Sequence, residues 1–169
     1  MASREIVTVP NEVLRRKARR VTVFDRDFQA LVDEMIELLR AAPGVGLAAP
    51  QVGVSNRLIV IEYGDDEDEE APKKLYVVAN PEFVETSEET EMGVEGCLSV
   101  PGFVGEVNRF ARVVVKGFNR RGKPMRITAE GWLARIFQHE MDHLDGVLYT
   151  DRAVRVWQPR DDEEVVAAD

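Results

Sequence analysis

The chain has 169 residues, 44% of them apolar, with 22 basic and 31 acidic side chains for a formal net charge of −9, one Cys and two His. One Cys excludes an intramolecular disulfide framework and any Cys-only metal site, and two His exclude a three-histidine site. The length suits one domain with a real core, no apolar run reaches the ~18 residues of a membrane-spanning helix, and the N-terminus lacks the apolar stretch of a secretory signal. The expectation is a cytoplasmic protein with no membrane partner, and a lone Cys agrees with a reducing compartment.

The negative charge is uneven. Asp65 to Glu70 is an unbroken run of six acids, and Asp161 to Glu164 is one of four. Taking those ten away leaves 21 acidic against 22 basic side chains, so the body of the chain is near neutral. The runs read as a solvated surface loop at about 65–72 and part of a polar, flexible tail at 152–169, beyond a single domain at 1–151. No basic stripe marks a nucleic-acid surface, and no such partner is expected.

In chain order, Asn11 to Arg19 reads as a short helix after Pro10. Asp25 reads as an N-cap, followed by Phe28, Leu31, Val32, Met35, Ile36 and Leu39 at helical spacing, with an end before Pro43-Gly44. A glycine-punctuated segment, GVGLAAPQVG, runs from Gly44 to Gly53. Arg57 to Tyr63 reads as a strand, and Leu75 to Val84 as a second, with a break at Pro81. Glu95 to Gly102 is short, strand-like and glycine-flanked. Ala111 to Asn119 and Pro124 to Ala129 read as a hairpin. Gly131 to Leu144 reads as a helix with Gly146 near its C-terminal cap. Strands first and an apolar helix late predict an α+β fold, with mostly antiparallel sheets packed around the last helix.

That helix carries His139-Glu140-Met141-Asp142-His143. Residues at i and i+4 share a helix face, so both imidazoles can reach one ion. Glu140 lies about 100° around from His139, placed to meet a metal-bound water without being a ligand. Two histidines need a third ligand. The extended pattern HExxHxxGxxH fits at Gly146 but has Tyr149 where the third His belongs. Glu163 and Glu164 lie at a distance that suits a Glu-ligated protease, in a tail without apolar periodicity. Cys97, 42 residues upstream of His139, is the strongest remaining candidate. As a thiolate it would complete a Cys-His-His set with a fourth position open to water.

GVGLAAPQ at Gly44 to Gln51, EGCLS at Glu95 to Ser99 and QHEMDH at Gln138 to His143 together resemble the three motifs of the peptide deformylases, in order and spacing. The likeness extends over about residues 1–151. It implies a catalytic domain that removes the N-formyl group from formyl-methionine on new polypeptides, releasing formate. In that chemistry the metal lowers the pKa of its water, Glu140 takes the proton, the resulting hydroxide attacks the formyl carbon, and Glu140 returns the proton to the leaving amine. The resemblance assigns oxyanion donors to Gln51 (side-chain amide) and Leu98 (backbone N–H). Gly46 matches a substrate-contacting backbone position. A formyl-methionine substrate needs an apolar pocket, which we expect from Val45, Trp132 and Ile136, beside the first motif or ahead of His139 on its helix. The donor set by itself reads as Zn²⁺. The resemblance instead implies Fe²⁺ as the physiological ion, with Zn²⁺, Ni²⁺ or Co²⁺ able to occupy the site. Nascent chains imply transient proximity to the ribosome. Two other readings use the same helix: a zinc endopeptidase with a downstream Glu ligand, and a non-catalytic module whose metal is closed by four protein ligands.

Overall fold

The computed structural model describes residues 4–64 and 70–159. After a 3-10 turn at Glu12–Arg15, the elements are α1 (Arg26–Ala41), β1 (Gly46–Ala48), a second 3-10 turn (Ala49–Val52), β2 (Leu58–Tyr63), β3 (Lys74–Thr86), β4 (Thr90–Cys97), β5 (Val100–Phe110), β6 (Arg112–Phe118), β7 (Pro124–Glu130), α2 (Gly131–Leu144), α3 (Tyr149–Arg152) and β8 (Arg155–Trp157). Five strands form one sheet in the order β1-β2-β3-β6-β7, and β4-β5-β8 form another. Every strand pair is antiparallel. The expected α+β architecture is what the chain adopts.

The five-stranded sheet is covered on both faces. Ile59, Ile61 and Val78 pack with Ala48 and with Ile136, Phe137 and Met141 of α2. Leu58, Val60 and Ala79 pack with Leu47 and with Phe28, Leu31, Val32 and Met35 of α1. Helices on both sides explain why β2 reads as an unbroken apolar run. Both helix expectations agree closely with α1 and α2, and the Asp25 side chain accepts from Phe28 N–H at 3.0 Å as the N-cap. Among the described residues, no helix is long and apolar enough to cross a membrane.

Four expectations are corrected. The first turn stops at Arg15 because the following strap is held extended: Ala18 N–H donates to Leu144 O at 2.8 Å, and Arg19 N–H to Ser55 O at 2.8 Å. Pro81 does not end β3, because the register shifts between Ala79 and Glu82 and absorbs its missing N–H. The segment 95–102 is the tip of a long hairpin, β4 and β5, whose four glycines and buried charges obscure its alternation. Residues 152–159 are not a free tail. Arg155–Trp157 pairs with Val104–Glu106 of β5, so the folded unit extends past Asp151. Of the acidic loop, Asp65 to Glu69 lie outside the described residues and Glu70 is exposed; residues 160–169 of the tail also lie outside them.

Candidate metal centre

Helix α2 is buried nearly all round, which makes it an interior element with polar groups that must be satisfied. Gln138 does so by pairing with the Phe110 backbone at both its amide atoms, each at 2.9 Å. The helix ends at Asp145, where Gly146 adopts φ +75 beneath the Arg15 carbonyl, with no room for a Cβ.

The helical period brings His139 and His143 onto one face, with ring centroids 5.1 Å apart. Cys97 arrives from the other sheet. It ends β4 and pairs with Val100 across the two-residue turn Leu98-Ser99, at a register shift that redirects the strand end. Its Sγ stands 3.5 Å from His143 Nε2. Ligand atoms of Cys97, His139 and His143 all lie within 4.8 Å of one another, and the residues are 7%, 2% and 1% exposed. Tetrahedral bonds of about 2.3 Å to sulfur and 2.1 Å to nitrogen would set such atoms ~3.6 Å apart. The donor set therefore fits a single borderline-soft divalent ion. Among the described residues, no fourth His, Cys or carboxylate joins that group, and three protein ligands are the count of a catalytic rather than a closed structural site.

Tyr149, at the position where the extended zinc pattern has its third His, is buried; its ring stacks on His139 at 6.0 Å and its hydroxyl donates to Phe103 O at 3.0 Å. Glu163 and Glu164 lie outside the described residues.

Gln51 is fully buried. Ala48 N–H donates to its Oε1 at 2.9 Å, and a backbone N–H can only donate, so Nε2 is turned the other way. Nε2 lies 3.1 Å from Ser99 Oγ and 3.6 Å from Cys97 Sγ. Leu98 follows Cys97 in the turn. Glu140, also fully buried, sets its carboxylate against Gly46 of β1. Val45 and Trp132 are partly buried and Ile136 fully so, all in the cluster between α2 and the five-stranded sheet.

Sequence reasoning missed the charged layer behind the histidines. His139 Nδ1 meets Glu95 Oε1 at 2.9 Å, which turns Nε2 toward the centre. Glu95 is fully buried and accepts from Arg109 at 2.9 and 2.8 Å and from Arg135 at 2.7 Å. Arg109 also donates to Asp142 at 2.7 Å, and Asp142 accepts from Arg152 at 2.6 and 3.0 Å. Burial alone would raise the Glu95 pKa, but hydrogen bonds from Arg109 and His139 hold it well below the usual carboxylate range. The Arg109 guanidinium is correspondingly pushed up, against its own burial, by Glu95 and Asp142. Glu95 is the first letter of a motif, yet its partners lie 14 and 40 residues away with no period that links them. Only the burial of an acid could have exposed the network.

Residues 3–158 match the family model described as polypeptide deformylase. The chain is 52% identical over 164 residues to a peptide deformylase of Symbiobacterium thermophilum, covering 97% of this chain and 73% of that protein. It is 46% identical over 158 residues to one of Natranaerobius thermophilus, covering 94% and 97%. The crystal structure of peptide deformylase from Thermotoga maritima superposes with TM-score 0.84 at 41% identity, covering 92% of this chain and all of that one.

Proposed function

The chain belongs to the polypeptide deformylase family, and on that premise we propose how its residues remove the N-formyl group from formyl-methionine on new polypeptides and release formate. The observation that carries the reading is the convergence of Cys97, His139 and His143 beside the Gln51 amide, the two histidines on a helix that also carries the buried Glu140.

Cys97, His139 and His143 would hold one divalent ion, which when bound acidifies a coordinated water and polarises a carbonyl. Glu140 is the general base and acid. It takes a proton from the attacking water and delivers it to the amine as the formyl C–N bond breaks, so formate and a free N-terminus result. Gln51 Nε2 and the Leu98 N–H donate to the formyl oxygen as it gains charge, and losing one such donor typically costs about two to three decades in rate. The Gly46 backbone lies along the substrate. Val45 and Trp132 flank the methionine side chain, with Ile136 as the floor.

The same donor set suits Zn²⁺, Ni²⁺, Co²⁺ and Fe²⁺, and the choice of Fe²⁺ as physiological ion rests on the family resemblance. Iron that reacts with oxygen exposes Cys97 to oxidation, so the Fe²⁺ enzyme should lose activity in air while the Ni²⁺ enzyme keeps it. A substrate borne on nascent chains places the work in the cytoplasm, near the ribosome exit.

The test is an anaerobic formate-release assay on formyl-Met-Ala-Ser with metal content measured in the same sample. Formate release by the native chain and a metal-replete, inactive Glu140→Gln variant are expected. No formate from protein fully loaded with Fe²⁺ would sink the reading.

A further inference from the structure

The glycine at position 46 has a second consequence for chemistry. Gly46 sits in β1, paired with Ile61 of β2. Its backbone is outside the left-handed region, so nothing in the chain path calls for glycine there. What excludes a side chain is Glu140. A Cβ on residue 46 would stand 2.7 Å from Glu140 Oε2, 2.9 Å from its Cγ and 3.0 Å from its Cδ. Carbon atoms pack at roughly 3.5–4.0 Å, so the two cannot coexist as placed.

The backbones of both partners are held in the core. Strand alternation sends Leu47 toward α1 and Ala48 toward α2, and both are fully buried. Glu140 is itself fully buried on a helix whose neighbouring residues, His139 and Met141, are buried too. The remaining freedom is rotation of the Glu140 side chain. That would keep the carboxylate in the site and move its oxygens off their line.

We infer that Gly46 is a positioning residue for the general base: the missing Cβ is the space that holds the Glu140 carboxylate in place. This rests on the proposed role of Glu140, and it differs from the substrate-contact role the resemblance assigns to Gly46. A backbone contact to substrate predicts a change in KM. A displaced base predicts a loss in kcat at constant KM.

The experiment is a double-mutant cycle on the Ni²⁺-loaded full chain, with Gly46→Ala, Glu140→Ala and the double variant. Thermal midpoint, metal content, and kcat and KM on formyl-Met-Ala-Ser are read for each. Gly46→Ala should keep its metal, hold KM within about twofold and lose about 100-fold in kcat, the effect of roughly 1 Å of misplacement. Its midpoint should fall by about 2–12 °C, as overpacking does in a chain of this size. In the Glu140→Ala background the same substitution should shift the midpoint by less than about 1 °C, because the clashing atoms are gone. An equal fall in both backgrounds, or a rise in KM at unchanged kcat, overturns the inference. If Gly46→Ala alone fails to fold, a folded double variant supports the contact and an unfolded one refutes it. A native chain that releases no formate would defeat the functional reading separately, since the melting cycle reads the contact itself.

Discussion

Glu95→Gln keeps the shape of a fully buried side chain and removes its charge. Four hydrogen bonds converge on that carboxylate, from Arg109 at 2.9 and 2.8 Å, Arg135 at 2.7 Å and His139 at 2.9 Å. Removing one member of a buried ion pair typically costs about 3–5 kcal/mol. Arg109 retains Asp142, and Arg135 retains the carbonyls of Val107 and Glu91, so the lower end applies. About 3 kcal/mol in a chain of this length lowers the thermal midpoint by roughly 6–12 °C. His139 also loses the charged partner that fixes its ring, which should weaken metal binding by about 10- to 100-fold. Differential scanning at saturating Ni²⁺ reads the first effect, and competition with a chromophoric chelator reads the second. Glu62→Gln is the control. It breaks the Arg40 pair at the surface, where solvent screens the charges, and should move the midpoint by less than about 4 °C. A Glu95→Gln protein with native midpoint and native metal affinity would refute the claim that this layer supports the centre.

Cys97→Ser should abolish tight metal binding while the sheets persist, seen as lost metal with retained circular dichroism; full metal retention would remove Cys97 from the ligand set. Trp132→Ala should broaden the side-chain preference at the first residue, measured as the ratio of kcat/KM for formyl-Met and formyl-Leu peptides; an unchanged ratio takes Trp132 out of the pocket. Stability should fall as pH drops below about 4.3, the unfolded Glu value, because a depressed folded pKa lets the unfolded chain take up protons first. In Glu95→Gln that acid limb should be shallower but not flat, since Asp151 beside Arg15 and Glu62 beside Arg40 are also held low. Acid titrations of both proteins followed by circular dichroism compare the slopes, and identical slopes would mean that Glu95 titrates as it does in the unfolded chain.

Features whose cause lies within a few residues were legible in the sequence. The helical period of α2 put His139 and His143 on one face, and the N-cap Asp25 with Pro43-Gly44 bounded α1. The counts of one Cys and two His left few choices for a metal. Other features depend on what distant segments do to one another. β8 forms because the edge of β5 is there to pair with, and no local pattern in 152–159 announces it. The direction of the Gln51 amide depends on Ala48 N–H, and its target depends on where the β4–β5 turn carries Cys97 and Ser99. The charge state of Glu95 depends on the balance between burial and hydrogen bonds from Arg109 and His139, which lie on other elements. Composition and period thus determined which atoms are available for chemistry. Tertiary packing decided where they point and how they are charged, because orientation and desolvation are properties of the contacts that close around a residue.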